Sequence, residues 1–216
     1  MKLVPLFLAA LALAASAPPA HAAELRPGDP LPELAGELLT GEAASLPAAA
    51  RGRVVLPLMG FSDASRFPVE AWGARFREAL AGDSTVSFHE VPMMSGLPVR
   101  LARPFINRGM RGGTPPALHG NVMTVWNHTA AWRRRLGGDD RDLAHLVLLA
   151  RDGTVPWIGA GARDLAGFDG LVARARALAA RREWSPSRPG VPSRGAAPAT
   201  PPRRAARQAS PRPVSR

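Results

Sequence analysis

Cysteine is absent from all 216 residues. That absence removes thiolate nucleophiles, disulfide exchange and disulfide cross-links together, because each requires a sulfhydryl. A phosphate-cradling glycine loop, a dinucleotide fingerprint and a His-Glu-x-x-His zinc motif are missing as well. Beyond one stretch near the N-terminus, no apolar run approaches the ~20 residues that a bilayer-spanning helix needs. What remains is a chain with little catalytic vocabulary, and no enzymatic activity is expected of it.

The N-terminal stretch is Lys2, an apolar segment from Leu3 to Ala17, and then Pro18-Pro19-Ala20-His21-Ala22-Ala23. One positive residue, a short apolar core and a small-x-small ending read as a secretory signal over residues 1–22, cut after Ala22. The mature protein is then expected to be soluble and periplasmic or secreted. Such a compartment favours disulfides, and this chain has no means of making one.

Composition breaks again near Glu183. From there to Arg216 the chain is Pro, Ala, Ser and Arg, with Val191 and Val214 as its sizeable aliphatics. A segment of that kind cannot bury enough apolar area to offset the entropy of ordering it, so residues 183–216 are expected to form a flexible tail. The break also locates the charge. Of the formal +11, the tail holds +6 and Lys2 +1, which leaves +4 on residues 23–182. The tail can reach an anionic surface by screened charge, but a mildly basic domain is not an expected nucleic-acid binder.

Between leader and tail the elements alternate. Leu25 to Leu34 is a Pro-rich entry that is not expected to form helix, and Arg53 to Phe61 is an apolar run bounded by glycine, the pattern of a buried strand. Pro68-Val69-Glu70 opens a helix. On it Val69, Trp72, Phe76 and Leu80 share one face, which should bury Trp72 and Phe76 against the preceding strand. Val86 to Val91 alternates as a half-buried strand, and Leu97, Leu101 and Phe105 recur at four-residue steps up to a kink at Pro104. Gly109 to Pro116 reads as a loop and Val122 to Trp126 as a strand. The chain closes with the strand Leu146 to Ala150, the turn signal Asp152-Gly153, a returning edge strand Val155 to Ile158, and a helix carrying Leu165, Phe168, Leu171 and Val172.

Strands alternating with helices, ended by an antiparallel hairpin and a helix, make the fold class α/β. The expected architecture is a thioredoxin-like three-layer fold with a central mixed sheet and helices on both faces, over residues 23–182. The strand-to-helix junction is then Ser62-Asp63-Ala64-Ser65, where such folds carry a Cys-x-x-Cys pair. Ser62 and Ser65 stand at the two cysteine positions, so the junction is a degenerate redox motif and the protein is redox-inactive.

Several short segments carry a more specific likeness. Gly60-Phe61-Ser62, Val69-Glu70-Ala71-Trp72 with Phe76, Glu90-Val91-Pro92, and Leu148-Leu149-Ala150-Arg151-Asp152-Gly153 followed by Trp157 and Gly161 resemble the ATP-synthase assembly-factor family. The resemblance spans roughly Leu25 to Ala180. It implies a redox-silent thioredoxin fold acting as an assembly chaperone for a membrane-protein subunit, with no cofactor. An export signal in place of a mitochondrial presequence would make this an exported bacterial relative that meets its partner from the periplasmic side.

Two other groups of side chains are candidates. Arg100, Arg103, Arg108 and Arg111, with Arg133-Arg134-Arg135, can form a basic face, and together with Trp126 and Trp132 they become a candidate partner-binding surface, since Arg and aromatic residues dominate interface hot spots. His89, His119, His128 and His145 with Met93, Met94, Met110 and Met123 supply the soft ligands that select copper, so the alternative function is a periplasmic carrier of copper or another small ligand. Met is more often a core filler, and no metal site is assigned. Ser62, Asp63 and Ser65 as a catalytic remnant would need a positioned base; a serine capping the following helix is the simpler expectation.

Overall fold

The computed structural model describes residues 23–181, so the leader expected over residues 1–22 and the tail expected over 183–216 lie outside the described residues. In chain order the elements begin with a hairpin, β1 (Leu34–Leu38) and β2 (Ala43–Leu46), followed by β3 (Val54–Gly60), α1 (Arg66–Ala79) and β4 (Val86–Pro92). Next come α2 (Leu97–Leu101), α3 (Arg103–Gly113), β5 (Met123–Thr124) and α4 (Thr129–Arg135). The chain ends with β6 (Ala144–Leu148), β7 (Trp157–Gly161) and α5 (Phe168–Ala180).

Every residue of β3 is buried, as its unbroken apolar sequence requires, and β3 lies inside the sheet order β4-β3-β6-β7. It runs parallel to β4, from Val54 opposite Val86 to Gly60 opposite Pro92, and antiparallel to β6, with Leu58 opposite Leu146. β7 closes the sheet antiparallel to β6 and forms the expected edge. On the other flank, parallel bridges from Glu90 to Val122 and from Met93 to Val125 bring β5 alongside β4, and β5 pairs antiparallel with β1.

Alternation along β3 divides the core. Val54, Leu56 and Leu58 face Val69, Trp72 and Phe76 of α1 and Phe168, Leu171 and Val172 of α5. Val55 and Met59 face Leu34 and Leu46 of the hairpin, Leu25 and Leu31 of the entry segment, and Trp132 of α4. Trp72 is 2% exposed and Phe76 1%, the burial their spacing predicts. The Trp72 indole N–H donates to the Ala162 carbonyl at 2.8 Å, so its polar edge is satisfied inside the core.

Several local expectations change, and two elements were not foreseen. Helix α3 continues through Gly109 and Gly112 to Gly113, where the glycine content had suggested a loop from residue 109, because its inward side chains are tied to β1 as described below. The returning strand starts at Trp157 instead of Val155: the Val155 N–H donates to the Asp29 carbonyl and the Leu31 N–H to the Gly153 carbonyl, so the entry segment claims that stretch first. The strand expected over Val122–Trp126 shortens to Met123–Thr124 with single bridges on either side. Finally, the hairpin β1–β2 and helix α4 had no clear periodic signal in Leu34–Leu46 and Thr129–Arg135.

Candidate functional site

At the carboxyl end of β3 the chain must turn into α1, and it does so through a turn that holds Ser62 and Ser65. The Ser62 N–H donates to Ser65 Oγ at 3.1 Å, and the Ser65 N–H donates to Ser62 Oγ at 3.0 Å. The Ser65 hydroxyl in turn donates to the Ser62 carbonyl at 2.7 Å. Ser65 is fully buried, with its hydroxyl close above Gly60, where a β-carbon would lie 2.7 Å from Ser65 Oγ. Glycine at 60 is therefore what lets the serine tuck in. The expected helix cap is not made by Ser65, which heads α1 without a side-chain hydrogen bond to it; its hydroxyl is consumed by Ser62 instead.

Ser62 is anchored from across the sheet. Its hydroxyl donates to Asp142 Oδ1 at 2.6 Å, from the loop that leads into β6. On the same loop, Arg141 Nη2 donates to the Phe61 carbonyl at 3.0 Å. Phe61 meets the His145 ring edge-on with centroids 5.2 Å apart. Beside the junction, Phe67 stays 42% exposed between two guanidinium groups, Arg66 at 4.7 Å and Arg163 at 5.3 Å from the ring centre. The end of the sheet is thus a hydroxyl–carboxylate pair next to an exposed aromatic ring held by arginines.

This arrangement is poor in nucleophilic chemistry. The hydrogen bond from Ser62 runs directly to a carboxylate, and the histidine in this region, His145, uses its Nε2 on the Asp140 carbonyl at 3.0 Å. Burial also holds the His145 ring below the usual imidazole range, despite the opposing effects of the Asp140 carbonyl and carboxylate. The base at Ser62 is thus the Asp142 carboxylate, and among the described residues no imidazole is hydrogen-bonded to its hydroxyl.

The proposed ligand set for copper is dispersed. His89 on β4 and His145 on β6 lie on either side of β3, opposite Pro57 and Met59 respectively, so they are two strand spacings apart and two residues out of step. His119 is held by the carbonyls of Arg111 and Thr114. His128 is exposed in a left-handed backbone conformation ahead of α4. Met93 and Met123 belong to the buried core. Among the described residues no group of three or more His, Asp or Glu side chains converges. Burial pushes the His89 imidazole down to about 4, with Arg53 contributing, so it is neutral at physiological pH.

The candidate partner surface is only partly assembled. Trp126 is 6% exposed and Trp132 4%, so neither tryptophan faces a partner: Trp132 fills the core under α4, and the Trp126 indole N–H donates to Thr124 Oγ1. Arg103 lies 5.4 Å over the Trp126 ring and pairs with Glu37 of β1. Arg111 reaches the same carboxylate at 3.8 Å and donates to the Leu39 carbonyl at 2.7 Å, and Asn107 donates to Glu37 Oε1 at 3.2 Å. Two of the four arginines thus serve to fasten α3. Arg100 and Arg108 remain exposed, without an ion pair among the described residues. What sequence reasoning missed is that Leu97, Leu101 and Phe105 stay 69%, 77% and 80% exposed beside them.

One further buried group stands out. Glu90 of β4 lies under α1, where a β-carbon on Gly73 would be 2.7 Å from its Oε1. Desolvation, with Glu70 adding to it and Arg77 opposing it, pushes its carboxyl up to about 7.

No protein-family model matches the chain, and no curated protein matches it either. Solved structures do. A thiol:disulfide interchange protein DsbE of Chlorobium tepidum superposes with a TM-score of 0.51 at 18% identity, over 72% of this chain and 99% of that one. A protein disulfide isomerase of Bacteroides thetaiotaomicron superposes with a TM-score of 0.49 at 14% identity, over 73% and 92%. At such identities the likeness is one of fold alone. The Chlorobium tepidum superposition, together with the order and directions of β3, α1, β4, β6, β7 and α5, makes this chain a thioredoxin-like α/β protein.

Proposed function

We propose that this is an exported, redox-silent thioredoxin-fold binding module, not an enzyme, that assists the assembly of a membrane-protein complex. The observation that carries the reading is the closed hydrogen-bond set of Ser62, Ser65 and Asp142 in a chain without cysteine. Both hydroxyls are spent on shaping the turn, so the sheet end where a thioredoxin fold meets its substrates keeps its form and loses its reactivity. Phe67, exposed between Arg66 and Arg163, then offers a contact for a protein segment, since aromatic and arginine side chains recur as interface anchors. The resemblance to assembly chaperones makes a subunit such as one of ATP synthase the first partner to test. The N-terminal leader supports a periplasmic or secreted location, and the Arg-rich tail a supplementary contact with an anionic surface.

The test is a photocrosslinking amino acid placed at Phe67 in exporting cells, with the same group at the exposed Arg174 of α5 as a control. Adducts with a membrane-complex subunit from position 67 alone are expected. Equal labelling from both positions, or none, overturns the binding reading. Insulin reduction and peroxide consumption by the purified chain should match buffer, and turnover in either assay would overturn the redox-silent part.

A further inference from the structure

Helices α2 and α3 present an apolar ridge with no counterpart elsewhere on the described surface. Arg103, Asn107 and Arg111, at four-residue steps, point inward onto Glu37. The opposite side of the same helical pair therefore carries Leu101, Phe105, Arg108 and Gly112, at steps of four, three and four. All four are exposed, and a β-carbon on Gly109 or Gly112 would meet nothing within 4 Å, so this face is open. Leu97 and Arg100 extend it by another turn. Leu97, Leu101 and Phe105 together account for three of the four large apolar side chains left exposed on the described residues.

Charge decides what such a ridge fits. From Val91 to Gly138 the sequence contains no Asp and no Glu, while Arg100 and Arg108 flank the ridge unpaired among the described residues. The apolar groups stand on a convex helical face instead of lining a groove, and a convex face is ill-shaped to enclose a partner helix. A flat, deformable apolar layer under a sheet of negative headgroups answers both features. Leucine and phenylalanine enter the acyl boundary while arginines reach the phosphates. No described helix is long and apolar enough to cross a membrane, so the contact is one of lying on the surface.

We propose that the α2–α3 ridge, Leu97, Arg100, Leu101, Phe105 and Arg108, docks this protein onto an anionic lipid bilayer surface. The inference is independent of the reading of the Ser62 end. It gives the domain a fixed orientation on the membrane, with the inward arginines bonded to Glu37 and the outward ones to headgroups.

The experiment uses the full chain with vesicles of phosphatidylcholine containing phosphatidylglycerol, against vesicles of phosphatidylcholine alone, in a flotation assay at physiological salt. Binding should favour the anionic vesicles. The triple variant Leu97→Ser, Leu101→Ser, Phe105→Ser should lose at least about tenfold of that binding, and Arg100→Glu with Arg108→Glu a similar factor, because each arginine at an anionic surface contributes about 1 kcal/mol or roughly fivefold. Since the chain has no other cysteine, Gly112→Cys accepts a single environment-sensitive dye. Its emission should shift to the blue on adding anionic vesicles, whereas the dye at Arg174→Cys on α5 should not respond. Vesicle binding that survives the triple variant would assign it to arginines elsewhere, such as the tail, and overturn the proposal. So would a ridge-dependent dimer in sedimentation, which would make a second copy of the chain the occupant.

Discussion

Helices α1 and α2–α3 carry the same sequence signal and meet opposite fates. Val69, Trp72, Phe76 and Leu80 recur at helical steps and are buried or half-buried; Leu97, Leu101 and Phe105 recur at four-residue steps and stand in solvent. The difference lies in what each helix offers on its other side. Around the buried stripe of α1 are Glu70, Arg75, Arg77 and Glu78, with no bonds to the sheet, so burial of the apolar face decides its orientation. On α3 the alternative face holds Arg103, Asn107 and Arg111, which converge on one half-buried carboxylate, Glu37, and on the Leu39 carbonyl. Helical spacing reports which residues share a face, whereas the partner waiting on the neighbouring strand decides which face turns inward.

The sharpest way to break this comparison is to cut the apolar anchor of α1. Trp72→Ala removes a side chain that is 2% exposed, contacts Phe168 at 5.8 Å and donates to the Ala162 carbonyl. It should cost about 3–5 kcal/mol in a urea titration, the usual loss for a large buried aromatic. A loss below 1 kcal/mol would mean that α1 is not held by its apolar face, and the contrast with α3 would fall.

The two helices also differ in the glutamate each covers. Glu37 under α3 has three polar partners, whereas Glu90 under α1 has no ion pair among the described residues, and its carboxyl is raised from 4.5 to about 7. A carboxyl raised on folding binds its proton more tightly in the native state. Stability is therefore full below pH 4.5 and falls as pH rises to about 7, by up to about 3 kcal/mol at 1.36 kcal/mol per unit. His89 works in the opposite direction. Its imidazole drops from 6.5 to about 4 on folding, so stability is full above 6.5 and is lost as pH falls towards 4. Between pH 4.5 and 6.5 the two slopes oppose each other, and the native chain should show a nearly flat denaturation midpoint. Glu90→Gln should expose the histidine slope, a midpoint climbing with pH through that window. A midpoint as flat in Glu90→Gln as in the native chain would remove Glu90 from the account.

How far the sequence carried the fold follows from the same physics. β3, α1, β4, β6 and α5 were legible because each buries a continuous run or stripe of large apolar residues, and the signal for burial is strong where the core is. The hairpin β1–β2 was not legible: Leu-Ala-Gly-Glu-Leu and Ala-Ala-Ser-Leu alternate weakly, and the strands exist because β5 and the second core face receive them. Ser62 and Ser65 lie between β3 and α1, yet their bonds to each other and to Asp142, 80 residues away, needed the fold. The basic face was half visible. Its arginines could be counted, but Trp126 and Trp132, candidates for that face, are buried, and the aromatic ring exposed beside Arg100 and Arg108 is Phe105.

The smallest expected effect is on the exposed side of the comparison. Leu101→Ser with Phe105→Ser removes two side chains that are 77% and 80% exposed and leaves Arg103, Asn107 and Arg111 on Glu37. Little apolar area returns to water on unfolding, so the lost transfer energy is small, and serine lowers helix propensity by only a few tenths of a kcal/mol per site. The urea midpoint should move by less than the equivalent of about 1 kcal/mol, against several for Trp72→Ala, while solubility rises as the apolar patch is removed. A loss of 2 kcal/mol or more would show that the two side chains are buried in solution. Leu97, Leu101 and Phe105 would then belong to the core of the protein, the two helices would share one fate, and the membrane-facing ridge would disappear with the contrast.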